Sequence, residues 1–249
     1  MIRVVSWNVL ADAYVRREYY PHTSPALLDS TTRRRAVAGR LAGYAAADVI
    51  CLQEADQALF ALAADTLGGF TARLLTKPAR GEGCALFVSR ALAPEPAFEE
   101  LVFTDGSGHV ALAFRNARMT VVCTHLKWEP EGVAIEAHRG RAQLAEILDR
   151  WPSGPRIVSG DFNADSDSVV LALARERELF DAYASMPAAY TCNANAQRKR
   201  IDFILHSADF IATPSALDTV IDDDTALPGA GEPSDHLAID ARLERRAIA

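Results

Sequence analysis

No uninterrupted apolar run in the 249 residues approaches the roughly 20 that a membrane-crossing helix needs. The opening stretch, Met1 to Val9, has no basic segment followed by a long apolar one, so no secretory leader is expected. Positive charge is also short, since 26 Lys and Arg against 33 Asp and Glu leave a net −7. That excludes a generally basic nucleic-acid coat but still permits a local anion-binding cleft. Cysteine is sparse: Cys51, Cys84, Cys123 and Cys192 lie far apart, with no pair at metal-knuckle or redox-motif spacing. Cys51 and Cys123 sit inside apolar runs and read as buried thiols, which favours a reducing, cytoplasmic setting. Repeats of 20 to 50 residues are missing too. Pro94-Glu95-Pro96, Ser153-Gly154-Pro155 and the stretch Asp222 to Pro233 read as loops rather than linkers, so residues 1–249 are expected to form a single domain. With 49% hydrophobic and 24% charged residues the chain has enough apolar content for its own core, and neither a membrane nor an obligatory protein partner is expected.

What is present alternates. Ile2–Val5, Val49–Leu52, Ala85–Val88, Thr120–Cys123 and Arg156–Val158 are short runs rich in β-branched residues, as in strands buried on both faces. Between them Val37, Leu41 and Tyr44 share a helical face after the capping candidates Thr31 and Thr32. Leu144, Ile147, Leu148 and Trp151 form a second stripe, ended by Pro152, and Val169 to Leu179 predicts a third helix. Ile201–Leu205 and the alternating Leu237–Leu243 return to strand character. Interleaved strands and helices predict a layered α/β fold.

The informative residues follow the apolar runs. Ile2–Trp7 ends in Asn8, Val49–Gln53 in Glu54, and Thr120–Thr124 in His125. Ile157–Gly160 opens into Asp161-Phe162-Asn163, Asp202 begins the next strand, and Ser234-Asp235-His236 begins the last. Strand ends that converge on one rim are where α/β proteins place their sites. Singly, each residue has an ordinary structural reading: Asn8 as a turn residue, Glu54 as a helix start, Asp161 and Asn163 as a tight turn, Asp235 as a strand-edge charge. Six such ends in succession are harder to explain that way.

Together they suit one chemistry. Glu54, Asp161 and Asp235 offer carboxylate oxygens to Mg²⁺ or Mn²⁺, with the Asn8 amide oxygen as a neutral ligand. No Cys/His cluster exists for a structural zinc site. Asn163 and His125 can donate hydrogen bonds to phosphate oxygens. Asp202 is the candidate to orient His236. Such a set suits metal-assisted attack of water on phosphorus.

Ser6-Trp7-Asn8-Val9, Leu52-Gln53-Glu54, Thr124-His125, Gly160-Asp161-Phe162-Asn163-Ala164, Ile201-Asp202-Phe203-Ile204 and Ser234-Asp235-His236 resemble, in order, the motifs of the endonuclease/exonuclease/phosphatase superfamily. Asn8-Val9-Leu10-Ala11, Glu82-Gly83-Cys84-Ala85-Leu86-Phe87, Thr124-His125-Leu126-Lys127 and Pro233-Ser234-Asp235-His236 look most like the branch holding Nocturnin, the Angel proteins and the carbon-catabolite-repression deadenylases. The resemblance implies a four-layer α/β sandwich, two mixed β-sheets face to face with helices outside, and Mg²⁺-dependent hydrolysis of a phosphate ester in RNA or a nucleotide. It implies Glu54 as main metal ligand with Asn8 beside it and Asp235 close by. Asp161 would position or deprotonate water, Asn163 and His125 would contact the phosphate, and Asp202 would pair with His236. Two departures stand out. Leu10 replaces the acidic residue of many DNA-repair members. Gln197-Arg198-Lys199-Arg200 stands where adenine-specific members carry an aromatic, which speaks against adenine preference.

The resulting expectation is an enzyme acting at RNA 3′ ends, as a 3′–5′ exoribonuclease or deadenylase-like phosphodiesterase. A 2′,3′-cyclic phosphodiesterase or nucleotide phosphatase uses the same parts and differs only in the room around them. A catalytically inactive nucleic-acid-binding module is opposed by the full ligand set. A phosphoinositide-type phosphatase lacks a basic amphipathic helix. Lys127, Pro130, Arg198, Lys199 and Arg200 are expected to bind substrate: Lys127 on the same strand side as His125, Pro130 against a base, and the basic run near Asp202 against phosphate. Arg33-Arg34-Arg35 and Asp222-Asp223-Asp224 read as solvated surface.

Overall fold

The computed structural model describes residues 1–186, 189–194, 197–222 and 224–246. In chain order the elements are β1 (Ile2–Asn8), α1 (Pro25–Leu28), α2 (Ser30–Ala42), β2 (Val49–Asp56), α3 (Gln57–Thr66), β3 (Phe70–Thr76), β4 (Glu82–Ser89), β5 (Ala97–Val102), β6 (Val110–Arg115), β7 (Thr120–His125), α4 (Arg139–Arg150), β8 (Arg156–Asp161), α5 (Val169–Glu176), β9 (Leu179–Asp181), β10 (Cys192–Ala194), β11 (Gln197–Lys199), β12 (Asp202–Ser207), β13 (Phe210–Pro214) and β14 (Ile239–Arg245). Two six-stranded sheets result, ordered β13-β14-β1-β2-β4-β3 and β5-β6-β7-β8-β12-β9, and β10-β11 form a separate pair. Each large sheet is mixed: β1–β2 and β7–β8 run parallel, the other pairs antiparallel.

Burial on both faces follows from strict alternation. In β1 and β2, Val4 and Cys51 face the opposite sheet, packing with Leu86, Leu112, Cys123 and Ile204. Their neighbours Val5, Ile50 and Leu52 face outward and meet Val37 and Leu41 of α2 and Leu59 of α3. Leu144, Ile147, Leu148 and Trp151 cover the far side of the second sheet against Val158 and Phe203. The layers are therefore helices, sheet, sheet, helices, the four-layer α/β sandwich expected from the sequence. No described helix is long and apolar enough to cross a membrane.

Several local expectations need correction. Asp29, rather than Thr31 or Thr32, caps α2: its carboxylate accepts the Thr32 amide, which puts both threonines inside the first turn. The third helix stops at Glu176, because Glu178 takes a left-handed φ of 58° and Leu179 joins the sheet through β9. Arg33 is not solvated. It is buried, donates to the carbonyls of Val9 and Pro233, and pairs with Asp12, while Arg34 bridges Asp12 and Asp56. Only Arg35 of that triplet is exposed. Asp222 and Asp224 are exposed as expected, and Asp223 lies outside the described residues.

Candidate active site

Strand register builds one half of the site. His125 stands opposite Asp161 across β7–β8, and Asp161 opposite Asp202 across β8–β12, so three motif residues occupy one level of the second sheet. Gly160 permits that approach. A Cβ there would lie 1.8 Å from the Thr124 carbonyl oxygen, and its φ of 154° strains any other residue. After the strand, Asn163 turns back with a left-handed φ of 50°.

The first sheet supplies the other half less regularly. The β2–β4 register shifts between Leu52 and Ala55, and within that bulge Glu54 adopts a φ of 60°. A left-handed glutamate costs of order 1–3 kcal/mol and persists only where its surroundings hold it. Here Oε2 accepts the Ala11 amide and Oε1 accepts Asn8 Nδ2, at 2.8 and 3.1 Å. Leu10 also has a left-handed φ, of 54°, and donates its amide to Asn8 Oδ1.

One oxygen, Asp161 Oδ2, gathers these groups. Asn8 Nδ2 donates to it at 2.9 Å, and the Nε2 atoms of His125 and His236 each stand 3.7 Å away. Asp161 Oδ1 accepts the Asn163 amide at 2.8 Å. His236 Nδ1 meets Asp202 Oδ2 at 2.8 Å, joining the segment before β14 to the second sheet. Asp235 accepts the Tyr20 hydroxyl at 2.9 Å. The Asn8 amide, expected as an oxygen ligand, bridges the same groups. Its oxygen is taken by Leu10 and its nitrogen faces both Glu54 and Asp161, so it holds the two carboxylates in place.

Burial sets the protonation states. Desolvation, then Asp235, pushes Glu54 up to about 7. Desolvation pushes Asp161 up to about 6. Burial and then the nearby Lys77 hold His125 well below the ordinary imidazole range, hence neutral. Burial would depress His236 as well, but Asp202, Cys192 and Asp161 raise it well above that range, hence charged. Asn163 Nδ2 donates to His125 Nε2 at 2.9 Å and to the Leu126 carbonyl at 3.0 Å. A neutral ring that accepts at Nε2 carries its proton on Nδ1. That Nδ1 is buried, unpartnered, and 4.0 Å from Glu54 Oε1, a donor left for a ligand oxygen.

These donors fit a hard divalent cation. Glu54, Asp161, Asp202 and Asp235 are all buried carboxylates, and Asp202 Oδ1 has no hydrogen-bond partner. Oxygen ligands crowded together and desolvated are suited to Mg²⁺ or Mn²⁺.

Beside Asn163 opens a cavity of about 320 Å³, lined among others by Trp128, Pro130, His138 and Lys199. That volume lies at the small end of ligand pockets. Trp128 is 52% exposed. Of the residues expected to bind substrate, Pro130 and Lys199 line this cavity. Lys127 is half-buried and outside the lining. β7 ends at His125, so strand alternation does not carry Lys127 to that residue's side, although its charge still reaches the imidazole. Arg198 lies over the Tyr190 ring, 4.8 Å from its centre. Arg200 is corrected from substrate binder to packing residue: it is buried, ion-paired with Asp181, and stacked over Phe203 at 4.8 Å. It lies just past the end of β11, and these contacts hold it apart from the cavity that Lys199 lines.

Three residues near the site carry no motif signal. Tyr20 reaches Asp235 from the turns at Asp12–Tyr14 and Arg17–Tyr19. Lys77, buried and paired with Glu82 at 2.9 Å, lowers both Glu54 and His125 by its charge. His109 bonds the His125 carbonyl at 2.8 Å. Each is a lone polar residue in sequence, legible only once the loops are placed.

Human 2′,5′-phosphodiesterase 12 is 30% identical over 207 residues, 66% of this chain but 34% of that protein, so the chain spans about a third of this relative's length. ANGEL2, a 2′,3′-cyclic phosphatase solved with adenosine-2′,3′-vanadate, superposes with a TM-score of 0.77 at 17% identity, over 97% of this chain and 95% of that one. The human Nocturnin catalytic domain, solved with a sulfate anion, gives 0.71 at 23% identity over 98% and 93%. Both structures share the fold. The description "Endonuclease/Exonuclease/phosphatase family" matches residues 5–236, from within β1 to His236, and the chain therefore belongs to the endonuclease/exonuclease/phosphatase family of phosphate-ester hydrolases.

Proposed function

We propose that the chain is a Mg²⁺-dependent phosphodiesterase that removes the terminal nucleotide from RNA 3′ ends. The observation that carries this reading is the adjacency of the Asp161 cluster to a nucleotide-sized cavity bearing an exposed tryptophan, a proline and a lysine. Trp128 and Pro130 offer surfaces for a base, and Lys199 offers charge for a second phosphate. The four unpaired buried thiols suit the expected reducing, cytoplasmic setting.

Glu54, with Asp235 near it, would hold the cation, which when bound offsets negative charge on the phosphate and the departing oxygen. The protein's own groups do the rest. Asp161 orients a water and accepts its proton as the water oxygen attacks phosphorus. His125 Nδ1–H donates to a phosphate oxygen as its charge grows, and Asn163 fixes that ring. His236, charged and held by Asp202, supplies a second donor to the same group. The bond to the leaving ribose oxygen breaks, and that oxygen takes up a proton from solvent, to which Asp161 afterwards returns the one it accepted.

A second reading, cleavage of a terminal 2′,3′-cyclic phosphate, is favoured by the small cavity, which suits one nucleotide better than a strand. A panel with Mg²⁺ separates the two: 3′,5′-linked RNA, 2′,5′-linked oligoadenylate, 2′,3′-cyclic-phosphate RNA, 3′-phosphate RNA, DNA and NADP. Stepwise release of nucleoside monophosphates from a linked oligomer supports the first reading. Turnover confined to the cyclic end supports the second, and no turnover of any member rejects both.

A further inference from the structure

Cys192 belongs to no motif, yet the fold delivers it to the site. Its segment pairs with the one carrying Asp235 and His236: the Asn193 amide donates to the Asp235 carbonyl at 3.0 Å, and the Leu237 amide to the Thr191 carbonyl at 2.7 Å. The bridge between them sets Cys192 opposite His236. Sγ of Cys192, a carboxylate oxygen of Asp235 and a ring nitrogen of His236 all lie within 4.8 Å of one another, and all three residues are buried. Asp202 holds the His236 ring at 2.8 Å, and Tyr20 holds the Asp235 carboxylate at 2.9 Å, so two of the three donors are fixed.

Tetrahedral Zn²⁺ bonds its ligands at about 2.0–2.3 Å, which sets ligand atoms about 3.3–3.8 Å apart. The three donors need small adjustments to reach that spacing. The set of one sulfur, one nitrogen and one oxygen matters more than the spacing. Mg²⁺ takes oxygen and avoids thiolate, whereas Zn²⁺ and Cd²⁺ take all three. We infer that Cys192, Asp235 and His236 form a second, inhibitory metal site for a thiophilic divalent cation, with water as the fourth ligand. Binding replaces the thiol proton, which leaves to solvent, by a sulfur–metal bond. It also displaces one ring proton from the charged His236 imidazole, which likewise leaves to solvent as the nitrogen–metal bond forms. Metal binding does not depend on the function proposed above, but inhibition by it rests on that reading of His236.

The test begins with metal-stripped protein titrated with Co²⁺, a spectroscopic stand-in for Zn²⁺. A thiolate-to-cobalt charge-transfer absorption in the near ultraviolet should rise to one equivalent and be lost in Cys192→Ser and Cys192→Ala. No such band in the unmutated protein, or an equal band in both variants, overturns the site. Zn²⁺ is then added against saturating Mg²⁺ with the substrate found in the panel. The variants should keep Mg²⁺-supported activity and need at least about tenfold more Zn²⁺ for half inhibition. Unchanged Zn²⁺ sensitivity, despite loss of the cobalt band, overturns the inhibitory role while leaving the metal site in place. Because the absorption is read without substrate, failure of the proposed function leaves this result intact.

Discussion

The two rims that meet in the cleft are built by different means. On the second sheet, His125, Asp161 and Asp202 stand in one row because three regular strands keep register. On the first, Glu54 sits in a bulge with a left-handed backbone, and Asn8, Ala11, Tyr20 and Arg33 hold the loops around it. A ladder shares its support among many hydrogen bonds, whereas a bulge held by loops relies on a few named contacts. The first rim should therefore be the more sensitive to single distant substitutions, and the second the more tolerant.

The largest effect should come from the acidic pocket that the first rim completes. Glu54→Gln, or excess EDTA with the unmutated protein, should lower turnover by orders of magnitude, and Mg²⁺ should restore only the unmutated protein. Undiminished activity in EDTA would reject a metal-dependent site. Next comes the contact that spans the rims. His236→Ala and Asp202→Asn should each cost about 10²–10⁴ in kcat, and the double variant little more than either. Multiplicative losses would mean that the rims act separately.

Tyr20→Phe tests the loop-held rim directly. Removing a hydrogen bond to a carboxylate costs about 1.5–3 kcal/mol, so kcat should fall about 10- to 100-fold. Substitution of a residue that supports only the ladder, such as Arg156→Lys, should leave turnover near normal by the same assay. Similar losses in both would erase the distinction between the rims. Smaller still, Lys199→Ala should raise KM a few-fold at low salt and flatten its salt dependence. An unchanged KM and salt slope would remove Lys199 from the substrate path.

The smallest effect concerns His109, beside the ladder. Burial, then Lys77, pushes it down to about 4 from 6.5, with Lys127 adding to the shift while the His125 carbonyl and Glu82 oppose it. As pH falls below 6.5 the unfolded chain takes the proton first, so stability declines until about pH 4, where the folded ring is charged as well. His109→Gln should remove that part of the decline, read as denaturant midpoints at neutral and mildly acidic pH. A parallel decline in both proteins would assign it to other groups.

The motif residues were legible because each sits where an apolar run breaks, and the fold puts those breaks together. The missed strands had other causes. β3, β5, β9 and β13 lie at or next to sheet edges or carry exposed positions such as Arg73, Glu100 and Phe180, so no continuous apolar run marks them. β6 is Val-Ala-Leu-Ala-Phe-Arg, whose alanines suit helix and strand alike. Charge runs misled for a periodic reason. In the helix, one of three arginines turns inward to brace the Val9 and Pro233 carbonyls. In the second run, Lys199 ends β11 and lines the cavity, whereas Arg200 beyond the strand pairs with Asp181, so composition cannot say which of them borders the cavity.

The bond between His236 and Asp202 joins residues 34 positions apart, one in β12 of the second sheet and the other on the segment that leads into β14 of the first. Neither sheet alone contains both members of the pair to which the proposed function assigns acid–base work. Under the proposed function, turnover is thus a timer for refolding. Far-ultraviolet circular dichroism follows the strands as they form, and returning turnover follows the moment at which the two sheets close on each other.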